Sequence, residues 1–375
     1  MRVALLSPLF ESVPPRLYGG TERVIYNLCR GLNDANVEVT LFASGDSSVD
    51  SRIIPIIDQA TRLRKTPLTE PNVYNFRMLS KVAEMSWEFD IIHNHHDYWM
   101  LPLTQMSNTP LLTTLHGRLD IPEVPSVHHA YPSGHYVSIS ESQRKAIPEL
   151  RWASTVYHGI DTELYEFREK PGKYLAFLGR ISRDKRPEWA IEMAKKSGVP
   201  LKIAAKIEGE ADTAFYETYV KPHVDGKFIE YIGEISESEK SDFLGNALAL
   251  AFPIDWPEPF GLVMIEALAC GTPVLARPCG SVPEILKNGV TGFIDPSIAC
   301  LSAQVANLHK IDRAKCRQWV EDRFSLRRMT EDYLNVYRQL IEFNSNRSRF
   351  GRAGGIAHDR RYFLHSVQCT TDGNT

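Results

Sequence analysis

Glu258-Pro259-Phe260-Gly261-Leu262-Val263-Met264-Ile265-Glu266-Ala267-Leu268-Ala269-Cys270-Gly271 lies between two short apolar runs, residues 247–252 and 273–276. Pro259 suits the first position of a helix, where a missing N–H costs nothing, and Gly271 suits its end. From 261 to 270 the helix is apolar on every side except at Glu266, which marks it as buried all round. A buried helix between two continuous apolar runs is a strand–helix–strand crossover, the unit of a parallel sheet covered on both faces.

The alternation continues outward from this unit. Strand-like runs at 174–178, 201–205, 228–232 and 292–294 share the second half of the chain with helical periods at 187–196 and 237–245. In the first half, runs at 3–6, 37–43, 90–93, 111–114, 136–139 and 155–157 alternate with helical segments at 21–32 (Val24, Ile25, Leu28, Leu32) and 75–85. Residues 158–172 follow neither period and read as a linker. The expected architecture is α/β, with a doubly wound domain at 1–158 and a second at 159–325. A helix at 326–343 is expected to return to the first domain, followed by a polar, loosely held tail at 344–375. Within that tail Tyr362, Phe363, Leu364 and Val367 could dock locally.

Composition narrows the class. Hydrophobic residues make up 43% of the 375 and charged residues 24%, with a net charge of −3. This is globular chemistry without the global field that gathers nucleic acid. No apolar run approaches membrane-span length. The start, MRVALLSPLF followed by Glu11, reads as a buried strand and not a secretion signal. Six cysteines are scattered without a C-x-x-C, so neither a zinc knuckle nor a disulfide framework is indicated and a cytoplasmic setting is expected.

Five places carry chemistry. Gly19 and Gly20 sit where a loop enters a helix, suited to an anion at the helix N-terminus or simply to a tight turn. His93, Asn94, His95, His96 and Asp97 follow a strand, in the position where parallel sheets bind ligands. Metal binding, cleft lining and structural hydrogen bonding all compete there, and no further ligands have zinc-like spacing. His116, before Gly117, ends another strand beside the same cleft. Arg180 and Lys185 straddle a strand-to-helix loop and suit one anionic group between them, or else form ordinary solvated charge. Glu266, a carboxylate in a buried helix, must have partners. Sugar hydroxyls or an internal Arg suit it, while the helix N-terminus offers free N–H groups to a phosphate.

Gly19-Gly20-Thr21-Glu22, His116-Gly117, Val137-Ser138-Ile139-Ser140, His158-Gly159-Ile160-Asp161 and Gly179-Arg180 with Lys185 occur in order. They are followed by Glu258-Pro259-Phe260-Gly261 with Glu266, then Gly280-Ser281-Val282-Pro283-Glu284. Together they resemble retaining nucleotide-sugar glycosyltransferases of family 4, group 1, whose GT-B fold sets two Rossmann-like doubly wound domains face to face across a cleft. The similarity spans residues 1–342. His158 departs from the Asn common in that family, at a position expected to lie in the linker.

The resemblance implies transfer of a hexose from a nucleotide-diphosphate sugar, UDP-glucose first and GDP-mannose second, to a glycan, lipid-linked or small-molecule acceptor. It implies that Arg180 and Lys185 hold the diphosphate, with the N–H groups of Gly261 and Leu262 beside Phe260. Glu266 would bind the ribose, Glu258 would face the hexose, and His116 would contact the sugar near the reaction centre. Gly19 and Gly20 would close on the donor from the first domain, leaving His93, His95, His96 and Asp97 to the acceptor or the cleft. No Asp-x-Asp occurs, and neither metal nor other cofactor is expected. Rival readings are a GT-B epimerase or phosphorylase, or a non-catalytic nucleotide-sugar sensor. Arg62, Arg64 and Lys65 form a local basic cluster, either ordinary solvated surface or a weak peripheral contact with the inner face of the membrane.

Overall fold

The computed structural model describes residues 1–17 and 19–353. Seven parallel strands form the first sheet: β1 (Arg2–Leu6), β2 (Glu38–Ser44), β3 (Arg52–Ile57), β4 (Ile91–Asn94), β5 (Leu111–Thr114), β6 (His135–Ser138) and β7 (Trp152–Thr155), in the order 3-2-1-4-5-6-7. Six more form the second: β8 (Leu175–Arg180), β9 (Leu201–Lys206), β10 (Ile229–Gly233), β11 (Ala249–Phe252), β12 (Val274–Ala276) and β13 (Gly292–Ile294), in the order 10-9-8-11-12-13. Each order reverses once, between β1 and β4 and between β8 and β11. Ligands of doubly wound sheets bind beyond the carboxyl ends at that reversal, where the crossover helices part to opposite faces. The first switch point delivers Pro8, Phe10 and His95–Asp97, the second Arg180, Ser182, Asp184, Lys185, Trp256 and Glu258, all into one cleft.

Most expected elements fall within a few residues of their predicted ends. The strand β3 was not expected, because Pro55 interrupts its RIIPII run. Proline lacks a ladder donor and is tolerated because β3 is an edge strand. The last strand of the first sheet lies at Trp152–Thr155, three residues earlier than expected at its start, since its half-buried edge position leaves no continuous apolar run. The helix of the opening stretch runs Leu262–Ala269. Pro259 therefore precedes it, and Gly261 makes the turn with φ +82°, where a Cβ would stand 2.8 Å from Met264 Cε.

Helix Leu326–Ala353 packs against helix Gly20–Asp34, burying Met329, Tyr333 and Tyr337 with Val3, Leu5, Leu28 and Leu32. It continues past residue 343, so the expected tail begins as helix; the rest of that tail, with Tyr362, Phe363, Leu364 and Val367, lies outside the described residues. The presumed linker is structured at its start. Ile160 and Tyr165 are buried, and Ile160 bonds both Phe324 and Leu326 through its backbone. Glu284 adds a joint between the two units: its carboxylate accepts the N–H groups of Glu141 and Ser142, each at 2.7 Å, and the Tyr157 hydroxyl at 3.1 Å. Among the described residues no helix is long and apolar enough to cross a membrane.

Candidate active site

The cleft between the two sheets holds a cavity of about 760 Å³. Its second-domain wall is built around Glu258 and Glu266. Lys185 Nζ donates a very short bond to Glu258 Oε2, and the same oxygen accepts the Trp256 indole N–H at 3.0 Å. The ammonium also lies 4.9 Å from the centre of the Trp256 ring, a cation–π contact. Glu258 and Lys185 are thus a unit, held by an aromatic floor and facing the cavity. Arg180 stands apart from them, with its Nε 3.4 Å from Asp212 Oδ2 and more than a third of its side chain open to the cleft. Beside these groups the helix Leu262–Ala269 begins without a side-chain cap, so its first amide N–H groups and dipole favour an anion.

Glu266 is 2% exposed, and the cation that faces it is a lysine and not the arginine the sequence suggested. Lys240 Nζ, from helix Glu237–Gly245, donates to Glu266 Oε1 at 2.8 Å and reaches Glu237 Oε2 at 3.0 Å. Arg23 of the first domain lies 3.4 Å from the same Glu237 oxygen, and the Tyr165 hydroxyl donates to its other oxygen at 2.8 Å. Burial raises the Glu266 carboxyl above its ordinary range despite Lys240. Burial works against the Lys240 ammonium too, but Glu266 and Glu237 together hold its pKa above the usual value. The network ties the buried glutamate across the cleft to helix Gly20–Asp34.

The first-domain wall is a column of imidazoles. His93 lies 3.9 Å from His95 between ring centres, His95 lies 5.1 Å from His116, and His116 lies 5.2 Å from His158, which in turn packs at 4.8 Å on Phe260. His95 Nδ1 and His116 Nε2 share a hydrogen bond of 2.8 Å. Burial keeps all four rings neutral, with the His116 pKa lowered to about 3 and the other three well below the ordinary value. His96 is anchored by Asn75 at 2.8 Å, and Asp97 occupies the left-handed region at φ +49° with its carboxyl raised by burial to about 6. Gly20 completes this wall: a Cβ there would touch Leu262 Cδ1 at 3.6 Å, so the two helix N-termini confront each other across the cleft.

Two adjoining family models account for most of the chain. One, described as Glycosyltransferase Family 4, matches residues 18–164, and the other, Glycosyl transferases group 1, matches residues 165–322. The chain belongs to the group 1, family 4 glycosyltransferases. Among curated relatives it is 24% identical to glycogen synthase of Mycobacterium tuberculosis, over 82% of this chain and 84% of that protein. It is also 24% identical to N-acetyl-alpha-D-glucosaminyl L-malate synthase of Bacillus anthracis, over 73% and 81%. The fold matches sucrose-phosphate synthase of Thermosynechococcus elongatus with a TM-score of 0.75 at 19% identity, covering 91% of this chain and 99% of that one. It matches Anabaena HepE, solved with UDP-glucose, with a TM-score of 0.69 at 17% identity, covering 92% and 100%. The architecture is therefore GT-B.

In this glycosyltransferase most of the sequence-predicted residues converge on the cleft, and some do not. Gly19, Gly20, His95, His96, Asp97, His116, Arg180, Lys185, Glu258, Phe260, Gly261, Leu262 and Glu266 all line it. His93 does not. It is fully buried, with Nδ1 bonded to the Tyr337 hydroxyl at 2.6 Å and Nε2 to Thr114 Oγ1 at 2.8 Å, so it supports the column from below. Among the described residues no group of His, Cys, Asp and Glu is arranged to hold a metal. The basic cluster disperses as well: Arg62 turns into the cleft mouth, 3.3 Å from Glu208 and 3.8 Å from Glu11, while Arg64 pairs with Asp58 at 2.7 Å. His158, assigned to the linker, lines the cleft beside His116 and is 3% exposed. The sequence pattern does not mark Lys240, Glu237, Arg23 or Trp256. Lys240 in particular sits within a polar segment that reads as a solvated helix, and only the packing of that helix against Leu262–Ala269 reveals it.

Proposed function

We propose that this glycosyltransferase moves a hexose from a nucleoside diphosphate sugar to a hydroxyl acceptor with retention at the anomeric carbon. The observation that carries the reading is that Arg180, Lys185 and the uncapped N-terminus of Leu262–Ala269 all line the second-domain wall of one cleft. Two cations and a helix dipole suit a leaving diphosphate, whose negative charge grows as the anomeric C–O bond breaks. The sugar becomes cationic in the same step. In this reading Glu258, whose Oε2 is held by Lys185 and Trp256, answers that charge as a carboxylate. The acceptor oxygen attacks from the face the diphosphate leaves, and its proton passes to a departing phosphate oxygen, so no protein base is required. Glu266, through the Lys240 network, is assigned to the ribose end of the donor. No metal takes part in this scheme, because Arg180 and Lys185 supply the positive charge.

UDP-glucose is the first donor to test, since it is the ligand of the Anabaena neighbour, and GDP-mannose the second. Thermal-shift screening of a donor panel identifies the nucleotide, and NMR of the product anomeric proton reads the configuration. An inverted product excludes retention. An epimer formed from donor alone points instead to an epimerase, and binding without turnover of a labelled donor to a sensor.

A further inference from the structure

Lys240 Nζ lies between two carboxylates of the second domain, 2.8 Å from Glu266 Oε1 and 3.0 Å from Glu237 Oε2. One ammonium shared by two carboxylates leaves a net negative charge, which is costly where Glu266 is shut away from solvent. The charge that balances it comes from the first domain. Arg23 stands one turn into helix Gly20–Asp34, directly after the paired glycines. Its Nε lies 3.4 Å from the same Glu237 oxygen that Lys240 reaches. Its Nη2 donates to the Pro15 carbonyl at 3.1 Å, which holds the guanidinium in place. The Tyr165 hydroxyl occupies the other Glu237 oxygen at 2.8 Å. Burial acts to raise the Glu237 carboxyl, yet Lys240 and Arg23 outweigh it and hold that carboxyl below its ordinary value.

Without Arg23, Glu237 would draw Lys240 toward itself, and Glu266 would lose the cation that keeps it ionised. We infer that Arg23 is a positioning residue that acts through Glu237 and Lys240 to keep Glu266 charged and aligned for the ribose hydroxyls of the donor. The ribose as ligand rests on the proposed function; the relay from Arg23 to Glu266 does not. The titratable groups that act on Glu266 are Lys240 and Glu237 of one helix, Arg23 of the first domain, Tyr165, and Cys270 at the end of its own helix.

Isothermal titration of the full chain with UDP, and with an analogue lacking both ribose hydroxyls, reads the effect on the ligand. Arg23→Met should weaken UDP binding about tenfold, the low end for a hydrogen bond to a charged group. It should also abolish the preference for UDP over the analogue. Arg23→Lys, which keeps the charge, should retain most of both. In a Glu237→Gln background, where Lys240 has one carboxylate left to serve, Arg23→Met should cost less than about twofold. Carbon-13 NMR of the ligand-free chain labelled at glutamate reads the relay without nucleotide, the Glu266 signal being assigned by its loss in Glu266→Gln. Arg23→Met should raise the pH at which this carboxyl takes up its proton, and Glu237→Gln should reverse the change. An unmoved Glu266 titration, or an equal loss of UDP affinity with and without Glu237, overturns the inference. A moved titration in a protein that binds UDP and the analogue equally leaves the relay standing and removes the ribose assigned under the proposed function.

Discussion

Replacing Lys240 with Met removes the cation that Glu266 faces and keeps similar side-chain bulk. The Glu266 side chain is 3% exposed and that of Lys240 19%, so solvent screens little of the 2.8 Å pair. Breaking a buried pair by deleting one partner costs about 3–5 kcal/mol, because the remaining charge loses its compensation. At about 2–4 °C per kcal/mol for a domain of 150–250 residues, the second domain's melting temperature should fall on the order of 10 °C. The loss should depend on pH in a fixed direction. Burial raises the Glu266 carboxyl in the folded state, and without Lys240 it rises further. A raised carboxyl contributes most below its unfolded pKa, about 4.3, and loses that contribution as pH climbs through the folded value. The variant should therefore be closer to wild type at pH 5 than at pH 8. Lys240→Met combined with Glu266→Gln should recover most of the loss. Differential scanning fluorimetry at the two pH values, with urea titration, measures this. A shift under about 3 °C, equal shifts at both pH values, or a double variant no more stable than the single one would refute the reasoning.

Arg180→Ala and Lys185→Ala should each weaken nucleoside diphosphate binding by about 1.5–3 kcal/mol, read by isothermal titration. Lys185→Ala should also reduce kcat, because it frees Glu258 from its anchor; full affinity in both variants would remove the pair from the donor site. Burial raises Glu22 to about 7, so its contribution to stability is present below about 4.3 and lost as pH rises through 7, for up to about 4 kcal/mol. Glu22→Gln should abolish that part of the decline between pH 5 and 8 in urea titrations. Chelation should leave activity intact and elemental analysis should find no stoichiometric zinc, whereas activity lost and restored with a metal would overturn the metal-free scheme. His158→Asn should alter donor KM more than stability, since His158 contacts His116 and Phe260 on the cleft wall.

The sequence by itself determined the two parallel sheets, the buried helix around Glu266, and the chemistry-bearing loops at strand ends. These follow from local periods and from turn residues at fixed spacing, information carried within a dozen neighbouring positions. It missed β3 because Pro55 breaks the apolar run, and it placed His158 in a linker because a buried crossover shows no period. Its motif residues reached the cleft almost together, since doubly wound sheets gather such loops at their switch points. What only the tertiary structure decided is who partners whom. Glu266 meets Lys240, Arg23 meets Glu237, Arg62 meets Glu208, and His95 meets His116, while His93 is turned away to Tyr337. Each pair joins separate elements, some in different domains. Burial and charge compensation depend on how helices and sheets pack, and no spacing along the chain encodes that directly.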